Sequence, residues 1–306
     1  VRIYIFTVLS FLQNDNWSEL TQLYSYENTP EFLKNPGFYF CFKSFQVPKS
    51  GIIFERLLKN NVMPEGPSII LMKESLQKFV GHKVTDASGN AKFDKEIYIG
   101  QTLREIRTFG KQTYLVFDKT AIRIHLLMFG SYSIDEQTKP DKSLRLALVF
   151  SNEALYFYTC SVKPVELELL SAIDWEADVM SDIWNPKKAE NKLKSNPKMM
   201  VCDALMNQDI FSGVGNIIKN EVLFRIGVQP ESLTGNLPAK KRKELIAEAR
   251  NYSFEFLEWK REFVLKKQWL VHTKSICPIC GQKLIKKKTG IGKRRSFYCE
   301  KDQKIY

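Results

Sequence analysis

The sequence predicts a multidomain α+β protein, and three observations carry that reading. Short runs of alternating apolar and polar residues fill the region from about Ile97 to Tyr158, apolar positions move to helical spacing after about Asp182, and a Cys-x-x-Cys pair with a third cysteine closes the chain. At 306 residues the chain is long enough for two or three domains, each able to bury a core. The expected division is an extension over 1–62, a β domain over 63–180, a helical domain over 181–272 and a metal-binding ribbon over 273–306.

Residues 1–62 mix aromatic and polar residues without a period, as in Phe38-Tyr39-Phe40-Cys41-Phe42, and carry no chemical motif. They are expected to be upstream sequence read from too early a start, because Met63 opens the first stretch whose local signals agree with one another. From Ser68 the apolar positions Ile69, Met72, Leu76 and Phe79/Val80 predict a helix that ends at Gly81. Strands are predicted over 97–99, 113–117, 121–125, 144–150 and 154–158, with turns at Asp118-Lys119-Thr120 and Ser151-Asn152-Glu153. Their spacing fits an antiparallel sandwich or barrel. Helices are predicted over 186–193, 199–206, 216–224 and 239–263, the last with Leu245, Ala249, Tyr252, Phe256, Trp259 and Phe263 on one face.

Charge narrows the range of partners. Lys and Arg total 46 against 34 Asp and Glu; residues 1–62 hold six of the former and five of the latter, so nearly all the excess lies after Met63. A polyanion is the expected partner, and nucleic acid suits better than membrane because no run of 18 apolar residues occurs. Val1–Leu12 superficially resembles a signal-peptide core, but it lacks a small-residue cleavage site. Three scattered cysteines (Cys41, Cys160, Cys202) and three clustered ones do not make a disulfide framework; they point to a reducing cytoplasm and a metal site.

Four constellations carry chemistry. Pro64-Glu65 places a carboxylate beside a nitrogen that is nucleophilic only if Pro64 is the first residue, since inside a chain it is a tertiary amide. Cys277-Pro278-Ile279-Cys280 and Cys299 have zinc-ribbon spacing, with Asp302 where a fourth cysteine is expected; Asp is an acceptable zinc ligand, so Zn2+ held by Cys277, Cys280, Cys299 and Asp302 is the expected structural cofactor. Gly213-Val214-Gly215-Asn216 permits a tight turn into a helix and is either a plain helix-turn-helix linker, the commoner use of so short a motif, or an anion site where the first N–H groups and the Asn amide converge on a phosphate. Leu127-Met128-Phe129 at a strand end is either core or an apolar wedge able to fill the gap left by an extruded nucleotide.

In order along 63–306, the Pro64-Glu65-Gly66-Pro67 start before a helix, Gly110-Lys111, the Leu127–Phe129 loop, the Gly213–Asn216 turn and a ribbon with Arg294 five residues before Cys299 resemble the formamidopyrimidine-DNA glycosylase/endonuclease VIII family. The resemblance implies a β-sandwich, a helix-two-turn-helix domain and a zinc ribbon flanking a DNA cleft. It also implies base-excision repair by a bifunctional glycosylase and abasic-site lyase, with Pro64 as nucleophile, Glu65 as acid/base residue and Lys111 as a further catalytic lysine. The same resemblance gives Asn216 and Arg294 phosphate-binding roles and makes Glu221 a further DNA-side acidic position. The implied partner is double-stranded DNA with damaged bases or abasic sites, bound by a cytoplasmic, nucleoid-associated monomer.

The Pro-Glu-Gly-Pro start, and Cys160-Ser161-Val162-Lys163-Pro164 where the purine-directed branch carries an Arg-rich loop, lean toward the endonuclease VIII branch and oxidised pyrimidines. The alternatives are 8-oxoguanine or formamidopyrimidine as the base, or a non-catalytic damaged-DNA-binding protein if Pro64 is internal. Ser68, Asn207 and Asp302 depart from the family's pattern, which usually has a glutamate, an aspartate and a cysteine there. Burial of Glu65 is expected to raise its pKa, as a proton donor requires.

Overall fold

Among the described residues, eight of the ten strands belong to a sandwich that follows a helix. The computed structural model describes residues 64–151 and 153–306, so the expectations placed on 1–62, Met63 and Asn152 lie outside the described residues. Helix α1 (Gly66–Leu76) begins with Pro67 in its first turn, where a missing N–H costs nothing, and continues as a 3-10 turn to Phe79. Ile69, Met72, Leu76 and Phe79 face the sandwich core.

One sheet runs β1-β6-β7-β5, made of Asp86–Ser88 (β1), Leu144–Phe150 (β6), Glu153–Tyr158 (β7) and Ser131–Ile134 (β5). The other runs β2-β3-β4-β8, made of Leu103–Phe109 (β2), Gln112–Phe117 (β3), Ala121–His125 (β4) and Ser161–Val165 (β8). All pairings are antiparallel. Leu103, Ile106, Leu115 and Ile124 from one sheet meet Leu146, Leu148, Leu155 and Phe157 from the other in a single core. This is a sandwich, as two inward apolar faces require. The strand expected at 97–99 is instead a 3-10 turn, Glu96–Tyr98, which buries Tyr98 against Phe117 and leaves Ile97 and Ile99 exposed.

A short helix, α2 (Leu167–Ser171), leads into the helical part: α3 (Pro186–Lys194), α4 (Val201–Met206), α5 (Asn216–Arg225), α6 (Ala239–Arg261) and α7 (Leu265–Gln268). Asn185 caps α3 by accepting from Lys188 N at 3.1 Å. In α6 the expected face holds for Leu245, Ala249, Tyr252 and Phe256, which are buried. Phe263 departs from it, because the helix stops at Arg261: Phe263 adopts φ 60°, and Val264 N donates to Trp259 O at 2.9 Å in a left-handed C-terminal cap. Among the described residues no helix is long and apolar enough to cross a membrane.

The ribbon hairpin, β9 (Ile285–Thr289) with β10 (Arg294–Tyr298), shares a small core with α5: Phe224, Val271, Cys277, Leu284, Phe297 and Cys299. Its tip docks on α4, where both Asp203 carboxylate oxygens accept from Ile291 N at 3.0 Å.

Candidate active site

Glu65 stands at the junction of sandwich and helices. It precedes α1 in extended conformation and is 1% exposed. Its Oε1 accepts from Ile217 N at 2.8 Å and Oε2 from Ile218 N at 3.2 Å, in the first turn of α5. The anion held by this helix N-terminus is therefore the protein's own carboxylate, which corrects the expectation of a free phosphate site there. Burial raises the pKa of Glu65; Lys111 and the N–H groups of Ile217, Ile218 and Gly215 oppose that rise.

Four glycines make this approach sterically feasible. A Cβ on Gly215 would overlap the Glu65 carboxyl, and one on Gly66 would lie 2.9 Å from Gly213 Cα. Gly213, at φ +97°, accepts from Gly66 N at 2.9 Å, and a Cβ on Gly110 would meet Ser212 Oγ. Buried Asp178 ties the same corner by accepting from Gly110 N and Met180 N, each at 2.8 Å. Gly215→Ala is thus expected to destabilise the fold by ~1–3 kcal/mol and, by displacing the carboxyl, to slow any chemistry through Glu65 by ~100-fold. Thermal unfolding and single-turnover rates measure the two effects separately.

Lys111, in the β2–β3 turn, is partly buried; burial, with Glu65 opposing it and Arg294 adding to it, lowers its amine below the usual lysine range. Pro64 is partly exposed beside Glu65. Arg294 is exposed at the start of β10, next to a backbone held by α5: the Arg295 carbonyl accepts from Asn216 Nδ2 at 3.1 Å, Asn220 Nδ2 at 3.4 Å and Lys219 Nζ at 3.5 Å. Asn216 therefore acts first as a strut between α5 and β10, while its buried Oδ1 has no hydrogen-bond partner among the described residues.

Leu127, Met128 and Phe129 are exposed, Phe129 by 75%, so they are a surface tip and not core. Leu127 has φ 57°, and its N–H is held by His125 Nδ1 at 2.9 Å. Burial, with Lys111 and Arg123, lowers the pKa of His125 and keeps that nitrogen an acceptor.

Glu221 requires a correction. It is 0% exposed and accepts from Leu270 N (2.8 Å), Val271 N (3.0 Å) and His272 N (2.7 Å), so it fastens the approach to the ribbon and has no surface to offer DNA. Cys277, Cys280, Cys299 and Asp302 bring one donor atom each to within 4.8 Å of one another. Both Cys277 and Cys299 thiols lie against Asp302 Oδ2, at 3.0 and 3.2 Å, and Cys280 and Cys299 sulfurs are 3.5 Å apart. Ligands at about 2.0–2.3 Å from one tetrahedral ion stand about 3.3–3.8 Å from each other, so three thiols and a carboxylate so gathered suit a single zinc-like ion.

Residues 63–161 match the formamidopyrimidine-DNA glycosylase N-terminal domain, and residues 177–258 match the formamidopyrimidine-DNA glycosylase H2TH domain. The chain belongs to the formamidopyrimidine-DNA glycosylase/endonuclease VIII family. Among members of this family, endonuclease 8-like 3 of Mus musculus is 29% identical over 215 residues, covering 68% of this chain and 36% of the mouse protein. The chain thus spans little more than a third of the length of such relatives. The formamidopyrimidine-DNA glycosylase of Syntrophomonas wolfei is 26% identical over 275 residues, covering 79% of this chain and 100% of that protein. A crystal structure of Lactococcus lactis formamido-pyrimidine DNA glycosylase, noncovalently bound to DNA containing an abasic site, superposes with a TM-score of 0.70 at 20% identity, over 78% of this chain and 99% of that one. At that identity the likeness shows a shared fold.

Two lysines at this family's fold junction carry no motif in the sequence. Lys219 is 1% exposed, donates to Ser296 Oγ at 2.7 Å, and burial lowers its pKa to about 8. Lys260 of α6 donates to Ser68 Oγ at 2.6 Å.

Proposed function

We propose that this protein is a base-excision-repair DNA glycosylase with abasic-site lyase activity, acting on oxidised bases, pyrimidines in preference, with Pro64 as its mature N-terminus. The observation that carries the reading is the buried Glu65 carboxyl beside Pro64, held by α5 N–H groups and raised in pKa by burial. As a terminal secondary amine, Pro64 has a reference pKa near 8 against about 10.4 for lysine, so more of it is neutral at pH 7. Its lone pair attacks the sugar C1′, the bond from C1′ to the base breaks, and the base leaves with a proton from water. Glu65 protonates the ring oxygen as the sugar opens, and the resulting iminium acidifies the C2′–H. Loss of that proton expels the 3′ phosphate, and hydrolysis of the iminium returns the amine.

Lys111 and Arg294 supply positive charge for phosphates around the lesion, with Asn216 holding the β10 backbone and offering its own free oxygen to an ordered donor. Leu127, Met128 and Phe129 enter the stack in place of the extruded nucleotide. A zinc ion held by Cys277, Cys280, Cys299 and Asp302 would cross-link the ribbon that carries Arg294.

The test uses protein beginning at Pro64, incubated with duplex containing an oxidised pyrimidine in the presence of borohydride. A covalent protein–DNA adduct is expected, absent when the chain retains residues before Pro64; DNA binding without an adduct from the Pro64-initiated protein would overturn the mechanism. Parallel duplexes with 8-oxoguanine decide the base preference.

A further inference from the structure

The apolar tip Leu127–Phe129 is held away from the sandwich in a backbone conformation that its own residues do not favour. Strand β4 ends at His125, which pairs with Gln112 of β3 on one side and Ser161 of β8 on the other. Leu126 is buried in the sandwich core, and Gly130 N donates back to Leu126 O at 2.7 Å, closing the loop at its base. The closure is tight, since a Cβ on Gly130 would overlap the Leu126 carbonyl. Inside it Leu127 adopts φ 57°, the left-handed region where the Cβ of a leucine crowds the following carbonyl. Leu127, Met128 and Phe129 are all exposed, so burial does not offset that strain. What holds the conformation is a side chain: His125 Nδ1 accepts from Leu127 N at 2.9 Å, the same two-residue reach by which Asn or Asp organises a turn.

We propose that His125 is a positioning residue for the tip: its Nδ1 locks Leu127 in the left-handed conformation and so sets the three apolar side chains, before DNA is met, in the arrangement that enters the base stack. The inference rests on the reading of that tip as the filler of the gap left by an extruded nucleotide. A loop without the lock must lose its freedom during insertion, and that ordering opposes the step. The lock also requires one protonation state, because Nδ1 accepts only while it carries no proton, which leaves the ring's proton on Nε2. The charges that face the ring are Lys111 from the β2–β3 turn and Arg123 from its own strand, while its neighbours Gln112 and Ser161 carry none. Lys163 of β8 lies opposite Arg123 and has the same sign. Partial burial and these cations favour the neutral ring.

The test replaces one ring nitrogen at a time. His125→Asn keeps an acceptor at the position of Nδ1, one bond beyond Cγ, and loses Nε2; His125→Gln does the reverse. By NMR of DNA-free protein, the Leu127 amide is expected to exchange with solvent about 5-fold faster or more in His125→Gln, and to stay within about twofold of wild type in His125→Asn. Insertion is read with duplex carrying a stable abasic analogue beside 2-aminopurine, whose fluorescence rises when it is unstacked. At saturating protein, where affinity no longer matters, that rise is expected to be ~10-fold slower in His125→Gln and close to wild type in His125→Asn. A His125→Gln protein that matches wild type in both measurements, or a His125→Asn protein that loses either, overturns the proposal. If His125→Gln does not fold, His125→Leu removes the acceptor with the same expectations. If His125→Asn does not fold, wild type decides: corrected for the intrinsic pH dependence of exchange, its Leu127 amide should lose protection as His125 takes up a proton at acid pH, and no loss overturns the proposal. Failure of the insertion reading is distinguishable, since the amide responses then persist while replacing Leu127, Met128 and Phe129 together by Ala leaves the fluorescence rise unchanged.

Discussion

Glu65→Gln is expected to lower single-turnover base excision by ~10²–10⁴ while leaving affinity for lesion DNA nearly unchanged. Glutamine fills the same space between Gly215 and the start of α5, and its oxygen can still accept from Ile217 N, but it has no proton to give the sugar oxygen. The pH dependence should differ in kind. Glu65 has a raised pKa, so its acid form persists above the ordinary carboxylate range and is then lost as pH rises, and wild-type excision declines along that limb. The glutamine variant should lack the limb. Stability follows the same sign: a folded-state pKa above the unfolded one gives a contribution that is fully present below the unfolded value and lost as pH rises through the folded one. Excision rates and thermal unfolding across pH check both statements, and an unchanged excision rate in Glu65→Gln would remove Glu65 from the mechanism.

The sequence reading places that carboxyl in a buried site with a raised pKa, as the structure has it, but not the partners that hold it. The motif Pro64-Glu65-Gly66 and the turn Gly213–Asn216 could each be picked out, yet only the fold shows that the second is the binding site of the first, with Gly215 cleared for the carboxyl. Periodicity served the long elements well: strands β4 and β6 and the starts of α3, α5 and α6 fall where alternation or helical spacing puts them. It missed β2, whose exposed Arg104 and Glu105 break the alternation, and β8, which contains Pro164 at the sheet edge. Lys219 and Lys260 were illegible for a different reason. A lysine in a helix normally reads as solvated surface, and what buries Lys219 and partly covers Lys260 is contact with β10 and α1, more than seventy residues away in sequence. Glu221 failed in the opposite sense, because the family resemblance made it a DNA-side acidic position, whereas three backbone N–H groups from 270–272 use it as an internal fastening.

Cys299→Ser should have the second large effect, on the ribbon and on whatever DNA affinity depends upon it. The hairpin's core is small, and much of it is Cys277 and Cys299 themselves, packed with Phe224, Val271, Leu284 and Phe297. Such a unit needs a further cross-link, and a structural zinc supplies on the order of 10 kcal/mol in small domains. Without it the hydrogen bonds from Asn216, Lys219 and Asn220 to Arg295 lose their fixed strand, and Arg294 loses its position. Native protein is therefore expected to release one zinc per chain to a chromogenic chelator, and Cys299→Ser to release none. The variant should also bind lesion duplex at least ~10-fold more weakly at moderate salt, through lost phosphate contacts, while the sandwich keeps its cooperative unfolding. Asp302→Cys tests the coordination from the other direction: replacing a carboxylate by a fourth thiolate should slow zinc release, since soft sulfur holds this ion more firmly than oxygen. Zinc-free protein that retains an ordered hairpin and full DNA affinity would show that the hydrogen bonds from the Cys277 and Cys299 thiols to Asp302 hold the ribbon without a metal.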